Sequence, residues 1–382
     1  MNFLLFFYGL FFSLPLVRLN LFIGGVKFDD FILALLTLSI FTSAVFNDKK
    51  LNLNKHIFSF VIITFFFASI AFYRNYLNFE MSTDDDNIIV FLRVIQSLMI
   101  FLVIGLIKGN DYNINFLYKG LLSGSSLSLI LFLFYFFSHF DLTAFSSRGV
   151  YFTKDIFQYN EDSPFSIHVN TLGSLFLISF FILYFNLKRN RILAYLFIIP
   201  SLLLISKGDM LAVLAFLGFK YFLKSQNKIF MAALFFIIFL ALSPKLYDEY
   251  LSLAQYRLYP SGRDELYTGA FEGIIRNPLG YGLGSQSNIL YNITGIDYPA
   301  HNFFLSIGIE FGVFYLIYVI FSMSVWFFKF KGKTYKYVLI TYLIIGFFGN
   351  AMYFYKFHAL AIAITILGVW RASGNENTYY VK

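Results

Sequence analysis

Residues 302–328 read NFFLSIGIEFGVFYLIYVIFSMSVWFF, and Lys329, Lys331, Lys333 and Lys336 follow at once. Glu310 is the single charge in the run. About 20 mainly apolar residues carry a helix across the hydrocarbon core of a bilayer. The stretch therefore predicts a membrane-spanning helix with a basic cytoplasmic end. Eleven further stretches of the same kind lie on either side of it, at 2–17, 28–46, 57–73, 88–107, 116–137, 168–186, 192–206, 209–223, 229–243, 336–352 and 357–371. Residues 206–209, SKGD, divide what would otherwise be one overlong apolar run. The first stretch, MNFLLFFYGLFFSLPLVRLN, has no basic start and no small-residue cleavage site, so it is expected to be a retained span and not a signal peptide.

Composition agrees with a polytopic chain. Of 382 residues, 59% are hydrophobic and 13% charged, against roughly 25% charged in a soluble domain. Too little polar surface is left to clothe a water-soluble globule, which excludes a soluble enzyme and a disordered protein. Aromatics reach 22%, with 54 Phe and 28 Tyr, which we read partly as codon bias and partly as lipid- and sugar-facing surface. Cysteine is absent, so disulfides, thiolate chemistry and Cys-ligated metals are excluded. The fold expected is all-α, with about twelve transmembrane helices in a single integral membrane domain spanning 1–382.

Charge gives the topology. With the N-terminus inside and strict alternation, the cytoplasmic segments carry 17 basic residues against three acids, and the external segments carry 11 against 17. Basic residues mark the cytoplasmic side, so both termini are expected inside. Reporter fusions after Lys228 and Lys333 should then read as cytoplasmic, and fusions within 250–295 as external. A cytoplasmic signal at Gly284 would overturn the placement of everything that follows.

Two external loops are long, a smaller one at 138–167 and a large one at 244–301 between the ninth and tenth spans. Loops of such length inside a compact protein are usually functional or disordered, and the aromatic and aliphatic content of the larger one argues for order. Leu266, Ala270, Ile274 and Ile275 predict a helical face, with Ser261 or Gly262 as the cap and Asn277-Pro278 as the stop. The glycines at 280–284, GYGLG, fit a tight turn returning the chain to the membrane better than a dinucleotide fingerprint. Neither a GxxxxGK[ST] phosphate loop nor an HExxH metal motif occurs. The five His are scattered, so no metal or other cofactor is expected, and nothing points to nucleic acid.

Cations gather instead at the external surface. Arg263 opens the loop helix, Arg276 closes it, Arg257 precedes it, His301 and Asn302 begin the tenth span, and Arg148 and Lys207 lie on other external loops. Guanidinium groups match phosphate oxygens bidentately, and His near neutrality can accept a proton. Plainer readings stand beside these. Arg276 complements a helix dipole, Arg257 and Lys245 are solvated, and Lys207 snorkels from a helical hairpin. His301 neighbours the true cap, Asn302. Glu310 is different, because a carboxylate inside a span is costly and by default functional. Arg93 has the same standing, although a long side chain near the end of its span can reach the interface.

Taken together, SGRD at 261–264, IRNPLGYGLG at 275–284, HNFFL at 301–305 and EFG at 310–312 resemble the O-antigen polymerase and O-antigen ligase family. SRG at 147–149, HVNTLG at 168–173 and SKG at 206–208 look like the family's earlier external loop and span starts. The resemblance implies a bacterial inner-membrane glycosyltransferase of GT-C-like fold. Such enzymes need no metal and act at the periplasmic face on undecaprenyl-diphosphate-linked oligosaccharide. It also implies a flippase and a chain-length regulator as partners in the same pathway. On this reading Arg263, Lys207, Arg148 and Arg276 face the diphosphate. His301 handles the acceptor hydroxyl, Glu310 supports catalysis from below, and Asn170 and Asn302 face sugar or acceptor. Lys207 stands where the family commonly has Arg. Polymerase is preferred to ligase for the long loop at 138–167 and the Phe/Tyr content. A lipid-linked-sugar transporter is the alternative from another class, and it would call for charge near the midplane and paired halves.

Overall fold

The computed structural model describes residues 1–14, 28–46, 55–77, 84–109, 114–144, 152–153, 155–160, 163–165, 169–186, 191–204, 213–214, 216, 218, 263–300, 302–329, 343, 346, 359 and 362–363. Among them the chain is helical and has no strand. The helices are α1 (Asn2–Ser13), α2 (Phe28–Phe46), α3 (Lys55–Leu77), α4 (Asp84–Gly109), α5 (Asn115–Ser138) and α6 (Val169–Asn186). After them come α7 (Arg191–Ala194) and α8 (Ile199–Leu203), joined by the 3-10 turn Tyr195–Ile198, then α9 (Arg263–Arg276), α10 (Gln286–Thr294), α11 (Phe303–Glu310) and α12 (Val313–Lys329). The expected spans at 229–243, 336–352 and 357–371 and most of 209–223 lie outside the described residues.

Among the described residues three helices are long and apolar enough to cross a membrane, at Ile57–Asn75, Ile88–Ile107 and Asn115–Ser138. Large apolar side chains stand outward along them and their neighbours, among them Phe58, Phe65, Phe66, Leu92, Ile130 and Phe134. In water such a surface would aggregate; against acyl chains it costs nothing. Lipid also removes the hydrophobic drive between helices, so association rests on close packing and hydrogen bonds.

The α1–α5 pair shows this. Gly9, Gly120 and Gly124 bring the two backbones together, and a Cβ on Gly9 would lie 2.5 Å from the Leu117 carbonyl oxygen. Added carbons on Gly120 and Gly124 would strike the backbone at Phe6 and Leu10. Ser128 Oγ then donates to the Ser13 carbonyl at 2.7 Å. Elsewhere α12 runs against α3, with Tyr315 donating to Thr64 Oγ1 at 2.9 Å and Trp326 packed edge-on to Phe60.

Two expectations need correction. The run at 302–328 is not one helix: α11 ends at Glu310, and α12 starts at Val313 after Phe311 and Gly312. Ile275 does not join the buried face of α9 but is 76% exposed. It sits one helical step, about 100°, beyond Ile274.

Candidate functional site

Inside the large loop, α9 begins at Arg263 and ends at Arg276, where Asn277-Pro278 stops it as the sequence predicts. Leu266, Ala270 and Ile274 form one buried cluster with Ile289 and Leu290 of α10 and Ala300, Leu305 and Ile309 of the next segment. Each Leu or Ile fully withdrawn from water contributes on the order of 1.5–3 kcal/mol. This small core fixes the path of the loop. Leu266, one turn after Arg263, and Ala300, just before His301, belong to it together. Helices α9 and α11 pack together through it, with Gly308 against Ile274 and Gly273 against Ile309.

Asn302 caps α11, its Oδ1 accepting from the Phe304 and Leu305 N–H groups at 3.0 and 3.2 Å. That oxygen is therefore committed to structure, and only the amide NH₂ remains for a sugar.

The glycine-rich turn fastens the loop to the bundle. Helix ends leave orphan N–H and C=O groups, and the break between α11 and α12 creates such a set. The turn satisfies it. Tyr281 N–H donates to the Ile309 carbonyl at 2.8 Å, Gly282 N–H to that of Glu310 at 3.0 Å, and Val313 N–H to that of Pro278 at 2.8 Å. On its other side the turn meets the end of α3. There Leu283 N–H donates to the Ala71 carbonyl at 3.2 Å, Arg74 donates to that of Leu279, and Asn75 donates to that of Leu283. The approach is close enough to require glycine at 280, 282 and 312. Gly282, at φ +112°, has Asn75 Cβ 2.7 Å from where its own would be, and Gly312, at φ +92°, has the Leu279 carbonyl carbon at 2.5 Å.

Glu310 is buried at the end of α11, and its carboxylate accepts from the Gly284 N–H. Gly284 lies just ahead of α10, whose cap residue Ser285 makes no side-chain cap and instead donates to the Gly282 carbonyl at 2.7 Å. The Glu310 carboxyl thus sits near the N-terminus of α10. Its bond to Gly284 joins the end of α11 to the glycine turn. Arg276 is exposed and paired with Glu272 four residues earlier, as the dipole reading anticipates. Its charge opposes the rise that partial burial gives the Tyr281 hydroxyl. A diphosphate reaching Arg276 has to displace Glu272.

The smaller loop folds back on its own anchor. Phe157 stacks on Phe132 with centroids 4.8 Å apart, and Asn160 donates to Tyr135 Oη at 2.9 Å. Thr153 Oγ1 donates to the Leu204 carbonyl at 3.2 Å, tying the stretch after Arg148 to the stretch before Lys207. Arg148, Lys207, Arg257 and His301 themselves lie outside the described residues, as do the side chains of Arg263 and Asn170. Asn170 stands in the first turn of α6. Sequence reasoning missed Arg74, Asn75 and Gly312. The signal for Gly312 was its place two residues after Glu310 in an apolar run; the other two carried none.

Compared with known protein families, with curated proteins and with solved structures, the chain matches none.

Proposed function

We propose that this chain is a multi-pass glycosyltransferase of the bacterial inner membrane. It joins undecaprenyl-diphosphate-linked oligosaccharide repeat units into O-antigen or a similar surface polysaccharide at the periplasmic face. The observation that carries the reading is an ordered loop in which α9 and α11 share one apolar core and the glycine turn fastens them to the end of α3. Arg263 opens one of these helices and His301 immediately precedes the other's cap. An arginine and a histidine at the openings of two helices that share a core suit a reaction in which an acceptor hydroxyl attacks and a diphosphate leaves.

In the proposed mechanism Arg263, with Lys207, Arg148 and Arg276, binds the diphosphate and stabilises the charge that grows on it. His301 takes the acceptor proton, Asn170 and Asn302 orient sugar, and Glu310 keeps the turn in place. The anomeric carbon–oxygen bond to the diphosphate breaks as the new glycosidic bond forms, and the lipid diphosphate carries the charge away. The test is the lipopolysaccharide ladder of a deletion strain. Single repeats exported without long chains support a polymerase. Bare capped core in place of all surface sugar points to the ligase or to a transporter.

A further inference from the structure

The outer face of α9 is not explained by its fold. Leu266, Ala270 and Ile274 point into the loop core, while Phe271 is 59% and Ile275 76% exposed on the opposite side. The Glu272–Arg276 ion pair flanks them. One turn further on, Leu279 is also exposed, and its backbone lies against Gly312. Two residues beyond Gly312 begins the outward stripe of α12, Phe314, Ile317 and Phe321. Spacings of three and four residues put these on one helix face. The apolar face of the loop helix therefore continues into the apolar face of α12.

We propose that α9 is an interfacial helix, with Phe271 and Ile275 set in the outer leaflet of the bilayer and its charged flank at the headgroups. The occupant is lipid because the face continues a surface that only acyl chains can cover. Placed so, α9 carries Arg263 at the level where a lipid-linked diphosphate lies. The inference rests on the membrane reading of the helices and not on the chemistry proposed above, so either can fail alone.

The chain has no cysteine, so single reporters can be introduced without background. Ile275→Cys and Phe271→Cys, with Glu265→Cys on the polar flank as reference, are labelled with the environment-sensitive dye NBD. The full-length protein is then placed in phosphatidylcholine–phosphatidylglycerol vesicles. The expected result is blue-shifted emission at 271 and 275, lost when the lipids carry brominated acyl chains and insensitive to aqueous iodide, with the reverse at 265. Iodide quenching at 271 and 275 without lipid quenching overturns the proposal. So does efficient disulfide cross-linking between two copies through Ile275→Cys, which would make the face a protein contact. Persistent lipid quenching in a protein whose deletion leaves chain length unchanged keeps this inference and removes the polymerase reading.

Discussion

His301→Ala is expected to slow chain transfer about 10²–10⁴-fold, the usual contribution of general acid–base help, while donor capture is largely spared. Arg263→Lys should lose most activity although the charge is kept, because a point ammonium cannot make the two parallel bonds of a guanidinium fork. The two positions are informative together, since they open two helices that share one apolar core. Arg257→Ala, read as solvated, serves as the control and should be nearly silent. The measurement is chain-length distribution in a deletion strain carrying each variant at matched membrane abundance. Long chains persisting in both Arg263→Lys and His301→Ala would take these residues out of the mechanism.

Gly312→Val should be the most damaging single change to the architecture. Its φ of +92° is one that β-branched residues avoid, and its Cβ would meet the Leu279 carbonyl carbon at 2.5 Å and the Pro278 carbonyl oxygen at 2.6 Å. Relieving the overlap separates the turn from the helix break and strands buried backbone groups, each costing about 1–3 kcal/mol. With the strain added, the loss should be about 3 kcal/mol or more. Gly295→Ala is the matched control. Its φ is +74°, but nothing lies within 4 Å of an added Cβ, so only the left-handed penalty of about 1–2 kcal/mol applies. Thermal unfolding in detergent should lower the first variant far more than the second; equal shifts would show that the contact between turn and break is not what matters.

The features legible in the sequence were those written in short-range chemistry. The stop of α9 at Asn277-Pro278 and the Asn302 cap follow from residues within a few positions of the event, while the expected cap at Ser261 or Gly262 lies outside the described residues. The buried stripe of α9 followed from helical period, except at Ile275, where two adjacent isoleucines could not both face inward. Hydropathy concealed the break at Phe311–Gly312, because an apolar run reads the same whether its hydrogen-bond ladder continues or is handed to another segment. Helix α10, SQSNILYNIT from 285 to 294, is too polar and too short to announce itself. Arg74 and Asn75 stand more than 200 residues from the carbonyls they bind. Nothing local marks such a pairing. Similarly, Gly120 and Gly124 have the spacing that permits close helix approach, but spacing alone does not name α1 as the partner.

The break between α11 and α12 also bears on modularity. Backbone groups that one uninterrupted helix would have satisfied internally are completed here by the loop: Ile309 and Glu310 accept from it, and Val313 donates to it. Loop and bundle thus share one ladder and form a single cooperative unit. A graft of the loop into a related scaffold would carry its own side chains but leave half of that ladder behind. Exchange between such proteins is workable only where the cuts lie upstream of Ala71 in α3 and within α12, so that the turn travels with both surfaces it was shaped against.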